Sequence, residues 1–170
     1  SIEIKDKSIF ILNFAVDKKI IIIKIDKKNS SLDNEKIGAK FFDIVENNKI
    51  RDLSFVNENL IKFLDKNFSF NEFFHGIELK SFKFQKYKSL KKITNYNLNV
   101  YSKKVDKKIE NNKRFKSLIS GINFTKELVS EPGNILHPDE YAKRLTALKK
   151  DGLKVTVLDK KKLKKLGMNS

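Results

Sequence analysis

Two histidines, His75 and His137, are the only imidazoles in the chain. They lie too far apart for a local HExxH pair, in which imidazoles one helical turn apart grip a zinc ion, and neither is flanked by paired carboxylates. Each therefore reads as a helix-end histidine. There is no cysteine, which removes disulfides, thiolate zinc sites and cysteine nucleophiles together and fits a reducing compartment. The six glycines form neither GxGxxG nor a P-loop, so no dinucleotide or triphosphate cradle has local support, and no serine sits in a GxSxG elbow. Acidic residues are plentiful but scattered among lysines, and a general acid and base cannot be assigned from type alone. No catalytic residue and no metal ligand can be named from local motifs.

One segment does combine types with a use. Phe82-Lys83-Phe84-Gln85-Lys86-Tyr87-Lys88 interleaves aromatics with cations, as single-strand binders do when they stack bases and neutralise phosphates. Lys83, Lys86 and Lys88 are thus the candidate nucleic-acid contacts of a basic binding module. The competing reading puts the aromatics in a core and the lysines in water, and it is the favoured one.

The total charge of +16 invites the same question, because strongly basic chains often meet phosphate-rich partners. The excess is uneven: residues 1–75 carry 13 basic and 12 acidic groups, residues 76–170 carry 24 and 9. Only Arg51, Arg114 and Arg144 are arginine. The rest is lysine, which lacks the bidentate fork of specific phosphate and base recognition and accompanies abundant Ile, Asn and Phe. A solvated lysine-rich surface is favoured over a selected nucleic-acid patch. With 170 residues, 39% hydrophobic and including 14 Phe, the chain can build a core of one domain plus the opening of another. Its longest pure apolar run, Ile20 to Ile23, is far short of the ~20 residues of a membrane helix. A soluble cytoplasmic protein without a membrane partner is expected.

The elements that must position these groups follow from periodicity. Ile2 and Ile4 alternate with charges, Ile9 to Phe14 and Ile20 to Ile25 are β-prone, and Asp17-Lys18-Lys19 supplies a hairpin turn. Ser30 to Asp33 offers caps for a helix over about 33–48, with Ile37, Phe41, Ile44 and Val45 on one face. A strand is expected over Arg51 to Glu58, a helix beginning at Leu60 to Leu64, a helix carrying Phe73, Phe74 and Ile77 and reaching Phe84, and a strand over Ile93 to Tyr101. A long helix over Lys107 to Ser130 has Phe115, Leu118, Ile122 and Val129 on its stripe, with Ile119 beside it. It must stop at Glu131, because Pro132 disfavours the α conformation before it, and Gly133 or Asn134 can take positive φ in the turn. Pro138 starts another helix, Gly152 ends it, Leu153 to Leu158 alternates as a strand, and Leu163 with Leu166 begins a last helix before Gly167. The fold class is α/β: a mixed sheet flanked by helices over residues 1–105, then a connecting helix and an α–β–α start of a second α/β domain over 106–170.

Two segments together resemble a known family. Gly76-Ile77-Glu78-Leu79-Lys80-Ser81-Phe82-Lys83-Phe84-Gln85-Lys86-Tyr87-Lys88 is similar to the G-x-x-L-x-S-Y-x-F-x-x-Y-K stretch that closes the N-terminal domain of the leucyl (cytosol) aminopeptidases. The stretch from Gly121 to Pro138, containing Leu128-Val129-Ser130-Glu131-Pro132-Gly133-Asn134, resembles the family's G-x-x-x-x-R-D-L-V-N-E-P-x-N-x-x-x-P. Lys126 and Glu127 stand where the family has Arg and Asp, which preserves the charges. The resemblance is clear over about residues 71–170. The earlier part fits the family's strand–helix–strand order only loosely, as it would if the first strands were missing.

The resemblance implies the N-terminal portion of a cytoplasmic, homo-hexameric exopeptidase that uses two divalent metals, zinc, manganese or magnesium, to activate water against an N-terminal peptide bond. It implies peptide as substrate and the remainder of the catalytic domain as partner. The family's metal-binding and catalytic residues, and its N-T-D-A-E-G-R motif, have no matching position here, so no catalytic residue, metal ligand or cofactor is carried over. The chain alone is expected to be non-catalytic and to serve structure and oligomer assembly. The alternative remains a basic nucleic-acid-binding module.

Overall fold

Alternation and β-branching build the first elements of the computed structural model, which describes residues 2–6, 9–15, 18–26, 28–57, 68–89, 96–102 and 113–168. β1 (Ile2–Asp6), β2 (Ile9–Asn13) and β3 (Lys19–Ile23) form an antiparallel ladder in that order. The expected hairpin is present, with Ile9 opposite Ile23 and Asn13 opposite Lys19. β2 turns Ile9 and Ile11 inward to essentially complete burial. β4 (Asp52–Asn57) and β5 (Asn97–Ser102) pair in parallel, Leu53 opposite Leu98, as strands joined through a helix can. The mixed strand directions of an α/β sheet are therefore present but divided between two ladders. The expected helix from Leu60 and the residues Ile93 to Asn95 lie outside the described residues.

α1 (Ser31–Asn47) begins where a hydroxyl and a carboxylate can satisfy its first amides. Ser30 Oγ accepts from Asp33 N at 3.2 Å, and Asp33 Oδ2 accepts from Ser30 N at 3.0 Å. The Ser30 hydroxyl, which also donates to Asp33 Oδ2 at 2.7 Å, and then the Ser30 N–H hold the Asp33 carboxyl below its ordinary value. The face predicted from spacing, Ile37, Phe41, Ile44 and Val45, is the buried face. α2 (Phe70–Ser81), capped by Ser69, stops before the aromatic–lysine tail, so Phe82 to Phe84, expected as the end of the helix, are not helical. Phe82 leaves the helix at φ −57°, ψ 126°, an extended conformation that breaks the hydrogen-bond ladder.

α1 and α2 run side by side in the same direction. Asn34 donates to Glu72 at 2.8 Å, Lys80 lies 3.1 Å from Asp43, and Lys83 lies 2.8 Å from Glu46, so both helices ascend together. They touch backbone to backbone at Gly38 and Gly76, a contact that periodicity of apolar residues does not reveal. The core joins Ile9 and Ile11 of β2 to α1 and to Phe73 of α2, with Ile21, Ile23, Leu53 and Phe55 packed against it. Full burial of each such side chain contributes about 1.5–3 kcal/mol. Phe41, Phe55 and Phe73 form a ring triangle with centroids 5.4 to 5.8 Å apart.

Two compact units are present, Ser1–Asn123 and Phe124–Ser170, and the division falls inside α3 (Lys113–Ser130). The expected start of α3 at Lys107 lies outside the described residues. On its apolar stripe Phe115 and Ile122 are half-buried, with Ile119 beside them, whereas Leu118 and Val129 are exposed and Leu128 takes the buried place near the end of the helix. In the second unit, α4 (Pro138–Ala147) starts at the predicted proline and runs into a 3₁₀ turn, Leu148–Asp151, which Gly152 ends at φ 87°. α5 (Lys160–Lys165) is capped by Asp159 and followed by Gly167 at φ 71°.

The segment Leu153 to Leu158 differs from expectation: it has the alternation of a strand but no ladder among the described residues. A strand is completed by a neighbour, and unit two contains no second one among the described residues, which leaves Leu153, Val157 and Leu158 exposed.

Candidate functional site

The most ordered polar arrangement in the second unit is built on the turn between α3 and α4. Glu131 closes α3 by donating its backbone N–H to Glu127 O at 3.0 Å, and Pro132 O then accepts from Ile135 N at 2.9 Å and Leu136 N at 3.0 Å. Gly133 and Asn134 are able to take positive φ, but neither does here, because Pro132 starts a tight turn of ordinary handedness. The Glu131 side chain is 1% exposed, an expensive place for a carboxylate without a cation. Arg144 supplies that cation from the last turn of α4. Its Nη1 lies 2.7 Å from Glu131 Oε1 and its Nε 3.0 Å from Glu140 Oε1.

Electrostatics follow the geometry. Bonds to Glu131 and then to Glu140 raise the Arg144 guanidinium above its ordinary value, and the bond from Arg144 lowers the Glu140 carboxyl. A guanidinium clamped between two carboxylates on adjacent elements positions the turn.

In the first unit, His75 is not at a helix end as expected; it sits mid-way along α2 and is buried. The glycine beside it, Gly76, lets α1 approach so closely that Glu35 reaches His75 Nδ1 at 2.9 Å. A carboxylate only accepts, so Nδ1 carries the proton, and Nε2 is buried with no hydrogen-bond partner among the described residues while the ring packs on Phe115 at 5.0 Å. His137 is the N-cap of α4, where a helix-end histidine was expected, although its side chain makes no capping bond.

The candidate nucleic-acid residues are spread over a short non-helical tail. Lys83 is ion-paired to Glu46, which also accepts from the Tyr96 hydroxyl. Lys86 Nζ lies over the Tyr87 ring at 5.6 Å, and Lys88 is exposed. Phe82 and Phe84 are half-buried, so they do not form an open stacking platform. A groove of about 970 Å³ also opens in this unit, between β3 and β4. Among the described residues no three His, Asp or Glu side chains are grouped to hold a metal ion, and no helix is long and apolar enough to cross a membrane.

Residues 123–170, the stretch that contains the Glu131–Arg144 clamp, match the model of the cytosol aminopeptidase family, catalytic domain. Over that stretch the chain is similar to the leucyl (cytosol) aminopeptidases. Curated relatives of that family agree over longer stretches. The probable cytosol aminopeptidase of Phytoplasma mali (strain AT) is 50% identical over 58 residues, which are 34% of this chain and 12% of the relative. That of Phytoplasma australiense is 36% identical over 100 residues, 56% of this chain and 20% of the relative. The chain thus spans a fifth or less of the length of these two relatives. A mutant of tomato leucine aminopeptidase shares the fold, with a TM-score of 0.71 at 18% identity over 96% of this chain and 34% of the tomato chain. The likeness of fold to the tomato chain therefore extends beyond residues 123–170 into the first unit.

Proposed function

We propose that the chain is the N-terminal portion of a leucyl-type metalloaminopeptidase, a hydrolase that removes N-terminal amino acids from peptides in the cytoplasm. Within that parent, this portion serves structure and homo-hexamer assembly, and the chemistry lies in the remainder of the catalytic domain. The observation that carries the reading is the match of residues 123–170 to the family's catalytic domain.

The family resemblance implies two divalent metals, manganese or zinc, which supply an activated water when bound. The described residues do not fit such a centre, having no grouped carboxylate and imidazole donors. The reading therefore assigns the donors to the rest of the catalytic domain, and gives Glu131, Arg144 and Glu140 the task of holding its first turn in place.

The test is hydrolysis of a leucine anilide with excess manganese or zinc. The 170-residue chain gives no turnover above a metal-only blank, whereas the longer reading frame gives turnover that chelation abolishes and sediments as a hexamer. Chelation-sensitive turnover by the short chain would overturn its structural role, and a folded but inert longer protein would overturn the peptidase reading.

A further inference from the structure

We draw no further inference here: the strongest candidate, the outward face of the β2–β3 ladder, where the exposed Ile20 and Ile22 stand opposite Leu12 and Phe10, is an unpartnered apolar surface and nothing in the structure shows what covers it.

Discussion

Gly38 of α1 faces the carbonyl of Phe73 in α2 so closely that a β-carbon on the glycine would stand 2.0 Å from that oxygen, and Gly76 meets Glu35 O at the same distance. Each helix thus presents its one residue without a side chain to the backbone of the other, and the apolar faces on either side close over the contact.

Gly38→Ala or Gly76→Ala forces the helices apart, because backbone cannot swing aside as a side-chain end can. A loss of about 3 kcal/mol or more is expected in urea unfolding, at the upper end of overpacking costs. Gly121→Ala in α3, where an added β-carbon meets nothing within 4 Å among the described residues, is the control and should gain about 0.5–1 kcal/mol from helix propensity. Equal effects at the three positions would refute the close-contact account.

Arg144→Leu removes both bonds of the clamp and lowers the melting temperature by more than Lys143→Leu, whose exposed amine lies 3.8 Å from Glu140. The pH dependence has a definite sign. Glu140 is depressed in the folded chain, so its contribution is complete above its ordinary value of 4.5 and is lost as pH falls through the lower folded value. In melting curves from pH 6 to pH 3 the native chain shows this loss and the Arg144→Leu variant does not. An identical pH profile for both would sink the assignment.

Changing Lys83, Lys86 and Lys88 together to Gln should alter nucleic-acid binding no more than changing Lys149, Lys150 and Lys154. A selected site would lose about 0.9 logarithmic units of salt slope per phosphate contact on duplex DNA. Lys83 already has Glu46 at 2.8 Å, which leaves the tail less charge to offer. A slope loss specific to the first triple would restore the binding-module reading.

The amides of Val155 and Val157 should exchange far faster than those of Ile21 to Ile23, because the former have no ladder among the described residues and the latter belong to the β2–β3 pairing. Comparable protection would show that Leu153 to Leu158 has found a partner, for instance in a second copy of the chain.

Legibility in the sequence tracked how local each determinant is. Ser30 with Asp33, Pro138 and Gly152 act within a turn of themselves, and the helix boundaries they mark were placed to within a few residues. The buried face of α1 was readable because a single period of 3.6 residues carries it. What depended on distant chain was not: the burial of His75 against Glu35, the close approach at Gly38 and Gly76, and the partner of Leu153 to Leu158. Glycine inside a helix looks like a cost until its neighbour is known. The turn signal at Glu131 was legible, whereas the pairing of Glu131 with Arg144, thirteen residues on, needed both helices in place.

Because α1 and α2 ascend together, the positive ends of two helix dipoles lie side by side, an arrangement that repels itself. Glu72, in the first turn of α2, accepts from Ser31 Oγ at 2.6 Å and from Asn34 Nδ2 at 2.8 Å, so one carboxylate serves as counter-charge to both ends. Ser31 and Asn34 are three residues apart, one turn of α1, and a slide of α2 by a full turn of ~5.4 Å would carry Glu72 beyond both while driving the opposed glycines onto side chains. The pair therefore has one mechanical register, keyed at its charged end and seated at its bare middle, and a shear motion between these two helices is not available to the domain.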